Sequence, residues 1–569
     1  MPSRTWGAIR HDGDWEIRIW APSARSVSVT IGEHTLPARM DATGYWHARA
    51  AAEPGAPYRF RVDDTLIPDP ACRLQMGDVH GASVLVDHDA YRWTEAWKGR
   101  EWPEAVLYEL HIGTFTPEGT FAAAAGKLAQ LASLGITGIE IMPIGQWSGN
   151  RGWGYDGVLP FAPHLAYGRP DDVKQFVERA HSLGMMVILD VVMNHLGPDG
   201  AYLHASTPEF FDSDRKNPWG AAIDFSQPAV RSFWIECALS WLEDYHLDGL
   251  RLDAVHQIAG PGSDQFFNEL GTAVQGLKLG RPLHIILEDE RNEPVLREKP
   301  GYVANWNDDF HHAVHVALTG EEQDYYESFA VDPIGDLVLA LEKGHVEQGQ
   351  KRKGRAVPRG APSEHLPPIA FVNSTQTHDQ VGNRPFGERL IALADPQALQ
   401  MVFSLLLVSP YIPMIFMGEE RGETAPFLFF ADYEGELGQR VREGRAAEFQ
   451  AIAGLGDAIP DPTSLETFEA SRLDWTVTDG SRQWQDLTRT CLEFRTRYVV
   501  PLLKSGHRAS IARRCGDGSL EAQWTFRDGR LSVALNLGSV GAFSQDDEDA
   551  GLRFNAIESD PFAFAAWVR

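Results

Sequence analysis

Four short stretches of this chain place ionisable residues directly behind apolar runs, and the residue types suit one chemistry. They read Asp190-Val-Val-Met-Asn194-His195, Arg251-Leu-Asp253-Ala-Val-His256, Glu288-Asp-Glu290 and Thr377-His378-Asp379-Gln380. Each follows a run rich in Val, Ile or Leu, so the ionisable groups fall where buried strands end. A lone Asp in such a place is more often a cap or a structural ion pair than a catalyst. Asp253, Glu288 and Asp379, together with His195, His378 and Arg251, weigh against that bland reading. Cleavage of a glycosidic bond passes through an oxocarbenium-like state and uses one carboxylate as nucleophile or stabiliser and one carboxylic acid as proton donor. Arg251 precedes Asp253 by two residues, so both share one face of a strand and the guanidinium can keep that carboxylate ionised and oriented. Glu288 has the opposite need, and repulsion from Asp253 and Asp379 would raise its pKa so that it holds its proton.

Eight elements must position these groups. Short apolar runs at Val106–Ile112, Thr137–Met142, Met186–Val192, Gly249–Asp253, Ile285–Glu288, Tyr302–Trp306, Ile369–Asn373 and Met414–Met417 alternate with helical patterns such as Phe121–Leu134, Asp171–Leu183, Val230–Tyr245 and Gln397–Leu407. That rhythm is the pattern of parallel βα units, and eight in order predict a (β/α)8 TIM barrel, an α/β fold whose catalytic groups sit where strands meet the following loops. Before it, period-two alternation as in Trp15–Trp20 and Ser26–Ile31 predicts an N-terminal β-sandwich; after about residue 500 strand-like runs return and predict a small C-terminal β domain. The expected domains are therefore 1–95, 96–500 and 501–569. Leu399–Met417 is almost long enough to span a bilayer, but Gln400, Pro410 and Pro413 interrupt it, so it reads as a buried helix, a turn and a buried strand.

Length and composition bound the partners. The 569 residues are 43% hydrophobic and 23% charged, enough for large packed cores, and a net charge of −28 disfavours nucleic acid and anionic membranes while leaving neutral sugars open as ligands. Cys72, Cys237, Cys491 and Cys515 are too few and too scattered for a disulfide framework or a paired Cys metal site. Reduced thiols and an N-terminal stretch without an apolar run predict a cytoplasmic protein.

The strand-end constellation resembles the α-amylase superfamily of glycoside hydrolases, on DVVMNH (190–195), GLRLDAVH (249–256), Glu288 of ILEDE and THDQVGN (377–383). The resemblance implies that Asp253 is the nucleophile, Glu288 the general acid/base and Asp379 the carboxylate that grips sugar hydroxyls. It further implies that His195, Arg251 and His378 line the cleavage subsite with Tyr155 of Trp153-Gly-Tyr-Asp156 stacked on the sugar. Asp156, His256 and Asp308 join them as substrate-binding candidates. Asn194 occupies a position that often binds calcium in amylases, but too few acidic ligands surround it to assign a metal, and no cofactor is expected. A narrower resemblance, to the maltooligosyltrehalose trehalohydrolases, rests on DPACRLQMGDVHGASVLVD (69–87), LEDERNEP (287–294), WNDDFHHAVHVALTGE (306–321) and PFLFFADYEGEL (426–437). It implies hydrolysis, by water, of the α-1,4 bond beside the terminal trehalose of maltooligosyltrehalose. It also implies a pathway partner, maltooligosyltrehalose synthase, without a stable complex. Met193 and Glu290 depart from the family's usual Tyr and Asp beside the catalytic positions. A glucan branching or debranching enzyme, or a non-catalytic carbohydrate-binding protein, are the alternatives.

Two further features have blander readings. His311 and His315 have the spacing of a helical zinc pair, but no clear third ligand accompanies them. Asp308, Asp309 and the neighbouring histidines are expected to bind sugar hydroxyls or to organise the loop after the sixth strand. Trp147, Trp153 and Trp219, beside glycines in loops, are candidate sugar platforms.

Overall fold

The computed structural model describes residues 4–11, 13–453, 459–538, 551–554 and 562–569. Eight parallel strands close a barrel in chain order: β1 (Leu107–Leu110), β2 (Gly138–Ile141), β3 (Met186–Val191), β4 (Gly249–Leu252), β5 (His284–Leu287), β6 (Tyr302–Trp306), β7 (Phe371–Ser374) and β8 (Ile412–Phe416). Their interior is filled by Leu107, Met186, Ile188, Ile286, Ala304, Val372, Ile412 and Met414, all buried, so the barrel is a packed core and not a pore. Each strand coincides with one of the eight apolar runs. The seventh begins later than Ile369, because Pro368–Ala370 form a short 3-10 turn before the strand. Leu399–Met417 divides as the prolines suggest: helix Pro396–Val408 stops at Ser409, and β8 follows.

The alternating N-terminal runs form two antiparallel sheets. One carries Gly7–His11, Asp14–Trp20, Tyr45–Ala50 and Arg39–Met40; the other carries His34–Pro37, Val27–Ile31, Pro57–Val62 and Thr65–Ile67, with Ser83–Val84 beside Pro57–Val62. Trp15, Ile17 and Ile19 point between the sheets and are buried, as a period of two requires. At the other end, strands His507–Gly516, Ser519–Phe526, Arg530–Asn536, Ala563–Val568 and Leu552–Phe554 make one five-stranded sheet. Its buried Trp524 donates its indole N–H to the Leu341 carbonyl at 3.0 Å, tying that sheet to helix Pro333–Lys343 on the outside of the barrel. Among the described residues no helix is long and apolar enough to cross a membrane. Cys72, Cys237 and Cys491 are buried free thiols, and Cys515 is an exposed one.

Candidate active site

One guanidinium organises the carboxylates at the C-terminal ends of the strands. Arg251, buried on β4, donates from Nη1 to Asp190 Oδ2 at 2.7 Å and to Asp253 Oδ1 at 2.8 Å, and its Nη2 lies 3.0 Å from Glu288 Oε2. Its charged plane also lies 4.1 Å from the Trp306 ring centre, an aromatic floor supplied by β6. Asp253 Oδ2 accepts from the Asn194 amide at 2.9 Å, so hydrogen-bond donors hold both of its oxygens. Glu288 is held differently. Its Oε2 accepts from the Ala254 backbone N–H at 2.6 Å, and Ala254 reaches that geometry in the left-handed region at φ 41°. A non-glycine residue there is strained, and this one directly follows Asp253 in the chain.

Electrostatics divide the two carboxyls. Burial, followed by the charges of Asp253, Asp379 and Asp308, pushes the Glu288 pKa well above the usual carboxyl range against the pull of Arg251. Repulsion is the cause legible in the sequence, and burial in the barrel mouth is the larger one. Burial also lifts Asp190 to about 6 despite Arg251, and Asp308 to about 6 with Asp379 adding to it. Chemically the arrangement offers a carboxylate steadied by two donors beside a carboxyl that retains its proton, which is what displacement at an anomeric carbon with protonation of the leaving oxygen requires.

The neighbouring loops bring most of the expected residues to this centre. The Tyr155 hydroxyl donates to Asp190 Oδ2 at 2.6 Å, and its ring stacks on His378 with centroids 5.1 Å apart. Gly154, at φ 103°, makes this approach possible: a Cβ there would fall 2.0 Å from the Pro143 carbonyl. His195 is fixed between the Asn194 side-chain oxygen and the Tyr155 carbonyl and stacks face to face on Trp219 at 3.9 Å. Asp379 is exposed and steadied by Asn383, and Asp308 is reached by Gln380 at 3.3 Å. Two candidates have partners of their own outside the Arg251 network. Asp156 meets the Tyr433 phenol, and His256 lies 3.4 Å from Glu290.

Several side readings change. His311 has both ring nitrogens engaged, by the Thr375 carbonyl at 2.6 Å and the Tyr326 hydroxyl at 3.0 Å, and His315 pairs with Glu321 at 2.8 Å. These partners replace the zinc reading. Asp309 is fully buried and accepts from Arg359, Asn292 and the backbone N–H groups of Val346 and Glu347, so it organises the loop after the sixth strand and not a sugar. Trp147 and Trp153 are buried in the packing, whereas Trp219 is 46% exposed and is the one of the three that presents a free ring edge. Asn194 faces Asp253 and His195 with its two amide atoms and accepts from Asn217 on its backbone carbonyl, a set that does not fit a calcium ion.

Glu109, on β1, went unnoticed in the sequence because it lies inside an apolar run, Val-Leu-Tyr-Glu-Leu, and not behind one. Its Oε1 accepts from His378 Nδ1 at 2.5 Å and its Oε2 from the His378 backbone N–H at 3.0 Å. A charged residue in the middle of a buried strand was the available signal.

Residues 86–219 match the family model described as the alpha amylase catalytic domain. Over 500 residues the chain is 38% identical to the malto-oligosyltrehalose trehalohydrolase of Deinococcus radiodurans, covering 87% of this chain and 82% of that protein. It is also 38% identical over 562 residues to the enzyme of the same name from Mycobacterium tuberculosis, covering 92% and 93%. A crystal structure described as a putative alpha amylase from Salmonella typhimurium superposes over both whole chains with a TM-score of 0.95 at 41% identity.

Proposed function

We propose the reaction from a premise that these similarities establish: the chain belongs to the malto-oligosyltrehalose trehalohydrolase family. It hydrolyses the α-1,4-glucosidic bond next to the terminal trehalose of a maltooligosyltrehalose, releasing trehalose and a maltooligosaccharide. The observation that carries this reading is the single Arg251 guanidinium that contacts both Asp253 and Glu288, with Glu288 held as the acid by burial.

Asp253 Oδ attacks the anomeric carbon while Glu288 gives its proton to the departing glycosidic oxygen, leaving a glucosyl ester on Asp253 and a free trehalose. Glu288, now a carboxylate, takes a proton from water as that water attacks the same carbon; the ester breaks, and both carboxyls return to their starting states. The net change is retention, which calls for carboxyls about 5 to 5.5 Å apart. Asp379 grips sugar hydroxyls, Tyr155 stacks on the ring, and Arg251, His195 and His378 line the subsite. Asp308, Asp156 and His256 extend contacts to the chain on either side of the bond. We assign the N-terminal sandwich to 1–95, the catalytic barrel to 96–500 and the C-terminal β domain to 501–569. The protein acts in the cytoplasm in trehalose formation, after a synthase that makes the trehalose-ended substrate, without a stable complex with it.

Product analysis on maltotriosyltrehalose and maltopentaose in parallel tests the reading. Trehalose and maltotriose should appear from the first, and the second should be cut slowly or not at all. Equal cleavage of both, or the appearance of α-1,6 branches, would sink the substrate assignment while leaving the barrel chemistry standing.

A further inference from the structure

We propose that Glu109 is a positioning residue of this site, whose carboxylate holds His378 as an imidazolium with Nε2–H directed at a bound sugar hydroxyl. The inference rests on the reading of His378 as a sugar contact given above. Glu109 clamps His378 twice, through the ring Nδ1 and through the backbone N–H, and a carboxylate can only accept, so Nδ1 must carry a proton. Nε2 has no hydrogen-bond partner among the described residues, and Tyr155 covers one ring face at 5.1 Å. The backbone half of the clamp also fixes the first turn of helix His378–Gly382, the turn that carries Asp379.

The charges around the ring decide its state. Facing His378 are Glu109 and His111 from β1 and the turn after it, Tyr155 from the loop after β2, Arg251 from β4 and Asp379 beside it in the chain. Glu109 and Asp379 favour the cation, Arg251 opposes it, and the balance raises the His378 pKa despite burial. His111 is driven down to about 3 by burial, so it is neutral and adds no repulsion at neutral pH. Glu140, opposite Glu109 in the β1–β2 register, is the other buried carboxyl at this level. Burial first and Glu109 second push Glu140 well up, so it keeps its proton.

The test pairs Glu109→Gln with His378→Asn. Glutamine keeps the size and an acceptor oxygen but removes the charge, so the imidazolium should be lost at lower pH. We expect kcat/KM to fall about 100-fold in Glu109→Gln, with the alkaline limb of the pH profile moved to lower pH. In the His378→Asn background the same change should have almost no further effect. An equal loss in both backgrounds, or an unmoved limb, would mean that Glu109 only fills space and would overturn the proposal. Should Glu109→Gln fail to fold, ring 15N shifts of the wild-type histidines decide it, with the His378 signal identified by its absence in His378→Asn. An imidazolium at pH 7 supports the proposal and a neutral ring there overturns it. Rates are read on maltotriosyltrehalose and on maltopentaose, and ring protonation is independent of which one is cut, so an error in the substrate assignment cannot pass for an error in Glu109.

Discussion

At the residue scale the site depends on keeping two carboxyls, joined through one guanidinium, in opposite states. Arg251 pulls Glu288 toward ionisation, and burial with three nearby carboxylates pulls it back further. The sign for activity follows. A raised pKa means that the acid form persists as pH rises and is lost only when pH passes the folded value, so hydrolysis should fall on the alkaline side. Glu288→Gln should lower kcat by about 10² to 10⁴, and its residual rate should keep only the part of the alkaline limb that loss of the His378 proton sets. Steady-state kinetics from pH 4 to 9 check both; a variant that keeps wild-type kcat would remove Glu288 from the role of acid.

At the scale of elements, the chain announces its barrel and hides what braces it. All eight strands were legible because a fully buried strand must be an apolar run, and β5, His-Ile-Ile-Leu, has no alternative face to show. Asp253, Glu288, His378 and Asp379 were legible for the same reason, since charge directly behind such a run stands out. Glu109 was not, because its meaning depends on a partner 269 residues away, His378, and Asp309 was legible only as one of two alternatives, between which Arg359, 50 residues away, decides. Arg495 shows the same limit. It follows helix Asp479–Phe494, looks like a surface arginine in sequence, and is fully buried. Its guanidinium donates to the carbonyls of Ser409 at 2.5 Å and Tyr411 at 2.7 Å, satisfying oxygens between helix Pro396–Val408 and β8. Burial lowers its pKa to about 9, and no acidic side chain pairs with it among the described residues. Arg495→Met fills the volume but leaves those carbonyls bare, so it should reduce unfolding stability by about 2 to 4 kcal/mol, read by denaturant titration. An unchanged midpoint would show that the bonds add nothing to folding.

At the scale of the whole molecule, the N-terminal sandwich is fastened to the barrel at several places, and two of them differ in kind. The first is hydrophobic. Trp6 is fully buried against Phe210 and Phe233, the latter on helix Pro228–Asp244, and gives its indole N–H to the Ala229 carbonyl at 3.1 Å. Glu236 of the same helix accepts from the backbone N–H groups of Thr5 and Trp6 at 2.9 and 3.0 Å, so chain entry is gripped on both sides. The second is close to the site. Val79 packs against Gly200, where a Cβ would come within 2.4 Å, and His80 meets Tyr202 at 2.8 Å, both in the loop that follows the Asn194-His195 stretch. The sandwich thus buttresses a loop leading out of the catalytic mouth, and loosening the first attachment should be felt at the second. Trp6→Ala removes the anchor without touching the site. It should cost about 3 to 5 kcal/mol of stability, increase amide exchange across residues 5–20, and raise KM more than it lowers kcat because the loop after β3 loses its brace. Exchange confined to residues 5–20 with KM unchanged would show that the two attachments act independently and that the sandwich does no more than cover the barrel's flank.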